Sequence, residues 1–138
     1  MELNECINYL LTQAQSVVHT RFKESLLTCE ITPAQYILLK CLWTEDGLSP
    51  TQLSQQTGLD ASTITGLLTR MEKKELIERR HSKEDRRGIT VCLLAQGKEL
   101  RTRVEKVTEE GNREVLRNFT GAEQRQLKDY LARIAAQQ

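Results

Sequence analysis

Two clusters of side chains in this 138-residue sequence could act on a polyanion. From Arg79 to Arg87, five basic residues (Arg79, Arg80, Lys83, Arg86, Arg87) stand against two acids, Glu84 and Asp85. Five minus two is +3 in nine residues, in a chain whose net charge is +1. Charge concentrated in this way can release counterions from DNA and steer encounter; a solvated charged hairpin has the same composition. The second cluster is Ser62, Thr63, Thr65, Gly66, Thr69, Arg70 and Lys73. On a helix over 61–74, Ile64, Leu67, Leu68 and Met71 gather on one side, and the second cluster takes the opposite side and its flanks. Hydroxyls there can bond phosphates or base edges, and threonine methyls can touch thymine methyls. Gly66 permits close backbone approach, and Arg70 could meet phosphate or guanine. Taken alone, the same face suits an ordinary solvated helix equally well.

The other reactive side chains are sparse. Cys6, Cys29, Cys41 and Cys92 form no Cys-x-x-Cys, and His19 and His81 are the two histidines. That fits neither a zinc module nor a disulfide framework, so reduced thiols in a cytosol and no metal or cofactor are expected. Cys41 reads as core, and Cys92, between Val91 and Leu93, faces away from them. Cys29, in the loop before Thr32, is expected to be the most accessible. Structural thiols are favoured over a redox role, for which Cys6 and Cys29 are the candidates. Tyr36 and Trp43 read as core, or as the lining of a pocket beside the first helix. No Gly-rich phosphate loop, G-x-S-x-G or H-E-x-x-H suggests an enzyme. Aromatics at 4% argue against a base-stacking surface. The acidic start and the lack of an apolar run of spanning length give a cytoplasmic expectation with no membrane partner.

Positioning these residues requires a particular order of elements. The spacing of Leu3, Ile7, Leu10, Ala14 and Val17 predicts one helix over 3–27. Thr32-Pro33-Ala34-Gln35 and Ser49-Pro50-Thr51-Gln52 are helix starts, with a capping hydroxyl, a proline in the first turn and a glutamine reaching back. The second of these helices ends near Gly58, and Asp60 caps the next. Two short helices joined by a tight glycine-containing turn make a helix-turn-helix. Residues 77–80 and the alternation of Ile89, Val91 and Leu93 predict strands around the charged loop, a wing. Helices follow over 95–118 and, after the capping box Thr120-Gly121-Ala122-Glu123, over 121–136. Their stripes, Leu100/Val104/Val107/Val115 and Leu127/Leu131/Ile134, are thin. They suit packing against a second copy better than a monomer core. The fold expected is mainly α with a small β-hairpin: one domain over 1–138, a winged helix-turn-helix lobe at 32–94, and dimerisation helices at 1–30 and 95–138.

At this point the sequence resembles the MarR (multiple antibiotic resistance regulator) family. The residues that carry the resemblance are Ile31-Thr32-Pro33-Ala34-Gln35-Tyr36, Leu53-Ser54-Gln55-Gln56-Thr57-Gly58-Leu59, Asp60-Ala61-Ser62-Thr63-Ile64-Thr65, Arg70-Met71-Glu72-Lys73-Lys74-Glu75-Leu76-Ile77 and the wing Asp85-Arg86-Arg87. The resemblance implies a homodimeric regulator, expected to be a repressor, bound to a pseudo-palindromic operator in double-stranded DNA. It also implies release by a small-molecule effector or an oxidant. With it, the groove-facing reading of Ser62 to Lys73 is favoured. Arg87 is assigned to the minor groove, and Asp85 to holding a wing arginine. A winged-helix interaction module without sequence-specific DNA binding is the alternative. Two departures stand out: Leu94 replaces a frequent threonine and so lacks a capping hydroxyl, and Gly66 replaces a frequent basic residue. The Cys-Phe-Leu-Leu stretch of hydroperoxide-sensing relatives aligns with Asn8-Tyr9-Leu10-Leu11, which puts Asn8 at the sensor position.

Overall fold

The computed structural model describes residues 1–82 and 88–137. A 3-10 turn at Leu3–Glu5 leads into α1 (Ile7–Leu27), α2 (Pro33–Thr44), α3 (Pro50–Thr57), α4 (Ala61–Lys73), β1 (Ile77–His81), β2 (Ile89–Leu93), α5 (Ala95–Val115) and α6 (Gly121–Ala135). The mainly α architecture with one small hairpin is the one expected. The predicted single helix over 3–27 is broken. The Glu5 carboxylate accepts the Glu2 N–H at 2.8 Å, and Cys6, at ψ 114°, leaves helical geometry. That local capping box closes its own turn before α1 begins.

The predicted caps are in place. Thr32 and Ser49 accept the N–H of Gln35 and Gln52, and each glutamine carbonyl accepts the cap residue's N–H in return. Asp60 accepts the Thr63 N–H at 2.7 Å, and Thr120 pairs with Glu123. Helices α1 and α4 end alike. Ile31 N–H bonds Leu26 O and Glu30 N–H bonds Leu27 O; Leu76 N–H bonds Met71 O and Glu75 N–H bonds Glu72 O. This paired closure usually places glycine in the left-handed region, yet here Glu30 (φ 58°) and Glu75 (φ 60°) occupy it.

Leu38, Leu39 and Leu42 of α2, Leu53 of α3, and Ile64, Leu68 and Met71 of α4 bury almost completely with Ile77, Val91 and Val104. β1 and β2 pair antiparallel from Ile77↔Leu93 to His81↔Ile89. Leu48 adds a single bridge to Val91 and ties the start of the helix-turn-helix to the hairpin. The lobe joins α5 through a close fit. Trp43 Nε1 donates to Gly97 O at 2.8 Å, and Gly97 lies so near Leu76 O that any Cβ would sit 2.2 Å from it. Leu94 makes no side-chain cap for α5, as its side chain dictates; its N–H instead bonds Leu76 O at 3.0 Å. Trp43 is therefore core, while Tyr36, half-buried, meets Phe22 edge-on at 5.1 Å. No helix among the described residues is long and apolar enough to cross a membrane.

Candidate nucleic-acid interface

The helix-turn-helix is held by short-range bonds that the sequence encodes directly. α3 stops at Gly58, whose φ of 75° a residue with a side chain adopts only at a cost. Ser54 Oγ donates to Leu59 O at 2.5 Å, and Leu59 N–H donates to Thr57 Oγ1 at 3.2 Å. Asp60 then starts α4. The Thr63 backbone N–H, followed by its hydroxyl, holds the Asp60 carboxyl below the usual range. Burial fixes the rotation of α4. Ile64, Leu67, Leu68 and Met71 are at most 3% exposed, so the helix cannot turn without emptying the core.

The opposite face carries the predicted cluster. Ser62, Thr63, Thr65, Thr69, Arg70 and Lys73 are exposed, and Gly66 is half-exposed among them. The structure thus brings together all seven α4 candidates. It also adds a detail that residue types alone do not reveal. Thr65 Oγ1 donates to Ala61 O at 2.9 Å and Thr69 Oγ1 donates to Thr65 O at 3.0 Å. Each hydroxyl has one proton, already used within the helix. Thr65 and Thr69 therefore offer outward lone pairs and methyls, suited to base amino groups and thymine methyls rather than to phosphate. Arg70 folds back along α4, with its guanidinium 3.5 Å from where a Cβ on Gly66 would lie.

The charged run is less free than its composition suggests. Arg79 gives its backbone N–H to Glu72 at 2.9 Å and its guanidinium to the same carboxylate at 3.2 Å. That backbone N–H is the main cause holding the Glu72 carboxyl low. The pair fastens β1 to α4. Arg80 is paired with Glu78, whose carboxylate raises the Arg80 pKa further. Both partners lie outside the nine-residue window, so a count within that window overstates the available charge. Lys83, Glu84 and the predicted site residues Asp85, Arg86 and Arg87 lie outside the described residues.

The thiols are placed as follows. Cys29, expected to be the most accessible, is 5% exposed. The turn that carries it is tucked between the end of α4 and α5, where Arg103 donates to Thr28 O. Cys6 is half-buried at the break before α1. The length of α1 separates the two by roughly 30 Å, so they cannot pair within one chain. Cys41 is half-buried rather than core, and burial pushes its thiol up. Cys92 faces away from buried Val91 and Leu93, as expected. Among the described residues no His/Cys/Asp/Glu group could hold a metal ion. His19 and His81 are exposed.

A second surface is assembled from the terminal helices. Leu10 and Val18 of α1, Val115 of α5, and Leu127, Leu131 and Ile134 of α6 line an apolar groove of about 410 Å³. Leu10, Leu131 and Ile134 are 42–43% exposed.

Comparison with known proteins agrees with this geometry. The MarR family model matches residues 31–89. The chain is 33% identical over 97 residues to the organic hydroperoxide resistance transcriptional regulator of Bacillus subtilis, covering 70% of this chain and 66% of that protein. It is 31% identical over 129 residues to the uncharacterized HTH-type transcriptional regulator YdgJ of the same organism, covering 93% of this chain and 76% of that protein. A probable transcriptional regulator from Pseudomonas aeruginosa superposes with a TM-score of 0.89 at 29% identity, over 96% of this chain and 99% of that one. A mutant MarR from E. coli complexed with operator DNA shares the fold at a TM-score of 0.87 and 23% identity, over 97% and 98%. The chain belongs to the MarR family and is a winged helix-turn-helix, DNA-binding transcriptional regulator.

Proposed function

We propose that the protein is a homodimeric repressor that places α4 in the major groove of a pseudo-palindromic operator and is released by a small ligand or an oxidant. The observation that carries the DNA-reading part is the two-sided α4: four buried apolar residues fix its rotation, and the hydroxyl-rich face with Arg70 and Lys73 is left bare. Ser62, Thr63, Thr65, Gly66, Thr69, Arg70 and Lys73 are assigned to the groove, the wing residues Arg86 and Arg87 to the flanking backbone and minor groove, and Asp85 to holding a wing arginine. Residues 32–94 form the reading lobe, and 1–30 and 95–138 the dimerisation helices. The apolar groove of α1, α5 and α6 supports the dimer. An exposed face of this kind on a monomer marks an interaction site, and its length suits helices of a second copy. Two copies would set their α4 helices about 34–36 Å apart, one turn of DNA. For an oxidant, Cys6 is the remaining candidate, because Cys29 is buried.

Fluorescence anisotropy with duplex DNA from the upstream intergenic region, across a salt series, tests this reading. Sequence-preferring binding that weakens steeply with salt is expected. Arg70→Ala should cost roughly 1–3 kcal/mol if Arg70 meets a base, and Arg87→Ala should lower the salt slope by about one. Absence of binding at low salt to this duplex and to sequences selected from random DNA would reject the reading. An interaction module would then be the better description.

A further inference from the structure

We propose that Arg70 and Thr69 together read one G·C base pair: the Arg70 guanidinium, laid over Gly66, donates to guanine N7 and O6, and Thr69 Oγ1 accepts from the amino group of the paired cytosine. The inference rests on the assignment of α4 to the major groove and names what its face recognises. Gly66 stands in the middle of α4 (Ala61–Lys73). The Nη1, Nη2 and Cζ atoms of Arg70 lie 3.5, 3.7 and 3.9 Å from where a Cβ on Gly66 would be. Long side chains on a helix lean toward its N-terminus, and this one comes to rest in the gap that the glycine leaves one turn earlier.

That placement decides what the cation can reach. An extended arginine would stand well above the short threonines beside it and hold a base out of their range. Folded into the gap, its fork lies close to the helix surface, at the depth of the hydroxyls. Thr69, three residues from Gly66, is a neighbour on that surface, so one base pair can touch both groups. Among the described residues Arg70 enters no ion pair, whereas Arg79 and Arg80 do. Its fork is therefore open to a ligand. Lys73, at the last residue of α4, carries a point charge without a fork and suits phosphate instead.

The polarity of the two groups selects the pair. The guanidinium only donates. Thr69 Oγ1 has committed its proton to Thr65 O at 3.0 Å, so toward the groove it only accepts. Across the major groove a G·C pair presents two acceptors on guanine, N7 and O6, and then a donor, the cytosine amino group. Two donors followed by an acceptor match that order at every position. An A·T pair presents N7, an amino donor and the O4 acceptor. There the second guanidinium N–H would face a donor, and the Thr69 lone pair would face an acceptor.

Selection of duplexes from random DNA by the full chain, followed by fluorescence anisotropy of the selected duplex, tests the proposal. A fixed G·C pair in each half-site is expected. Each guanine of the half-site is then replaced in turn by 7-deazaguanine, which lacks the N7 acceptor. At one of them the wild-type protein should bind about tenfold more weakly, the loss of one charge-assisted hydrogen bond, and Arg70→Ala should be indifferent to the change. Thr69→Val, which keeps the shape and removes the acceptor, should cost about fivefold on the selected duplex. Thr69→Ser should recover most of that loss. The Thr69→Val effect should vanish when that G·C pair is changed to A·T. Circular dichroism establishes that the variants are folded, and the 7-deazaguanine result with wild type needs no variant. Enrichment of no duplex would reject the DNA reading and this inference with it. A selected site without a fixed G·C pair, undiminished binding to every 7-deazaguanine duplex, or a Thr69→Val loss that persists on A·T would overturn the G·C assignment alone.

Discussion

The same glycine-to-alanine change should have opposite effects at two positions. At Gly97 a Cβ would lie 2.2 Å from Leu76 O, 3.1 Å from Leu76 C and 3.2 Å from Leu93 Cδ2, and the first of these is well inside the 3.0 Å below which real Cβ atoms are essentially never found. The obstacle is backbone, so no rotamer change relieves it. Leu76 O is also pinned, since it accepts the Leu94 N–H at 3.0 Å. Moving α5 outward would stretch the 2.8 Å Trp43–Gly97 bond. Overpacking of this kind costs about 1–3 kcal/mol, and a weakened buried hydrogen bond adds about 1. The helix-propensity gain of alanine offsets at most about 1 kcal/mol. The net is a loss of about 1–3 kcal/mol, or a Tm lower by about 3–10 °C for a chain of this length. At Gly66 a Cβ would meet only the Arg70 guanidinium, at 3.5 Å, an ordinary contact. There alanine should stabilise by about 0.4–1 kcal/mol, yet weaken DNA binding by setting a methyl on the groove face. Thermal and urea denaturation followed by circular dichroism, at fixed protein concentration, together with operator anisotropy, separate the two effects. A Gly97→Ala protein as stable as wild type would refute the argument from close approach. A Gly66→Ala protein that binds DNA undiminished would refute the assignment of that face.

Other expectations follow from single contacts. Leu94→Thr supplies the hydroxyl that α5 lacks at its N-terminal cap and should raise stability by about 1 kcal/mol, measured by urea denaturation. The Asp60 carboxyl is held below its ordinary value of 3.8 by the Thr63 N–H. Its contribution is therefore complete above pH 3.8 and lost as pH falls through the lower folded value. Asp60→Asn caps without titrating, so wild type should lose stability relative to it only below that pH, and a constant difference would refute the cap. Leu131→Glu places a charge in the apolar groove of α1, α5 and α6 and should shift the protein from dimer to monomer in analytical ultracentrifugation. An unchanged dimer mass would reject this groove as the interface, and a monomeric wild type would reject the proposed dimer.

Local chemistry is legible in the sequence. The capping boxes at Thr32, Ser49 and Thr120, the turn at Gly58 and the amphipathic face of α4 each depend on residues within a few positions of one another. Their patterns are complete in a short window. The family resemblance is legible for the same reason, since most of its motifs are such windows. The charged run from Arg79 is less so: Glu72, which takes Arg79, and Glu78, which takes Arg80, fall outside the run itself. Cys29 defeats the expectation of exposure because residues between helices are usually on the surface. Here α4 and α5 close over that turn from more than 40 residues away in sequence, a burial no local pattern records. The break at Cys6 is hidden because the Glu2–Glu5 box interrupts an apolar stripe that continues unchanged on either side. Which carbonyl Gly97 must approach, and which cations lack an acid partner, are decided only when α1, α4 and α5 meet. Sequence determines the propensities of each segment; packing determines which groups remain satisfied, buried or bare.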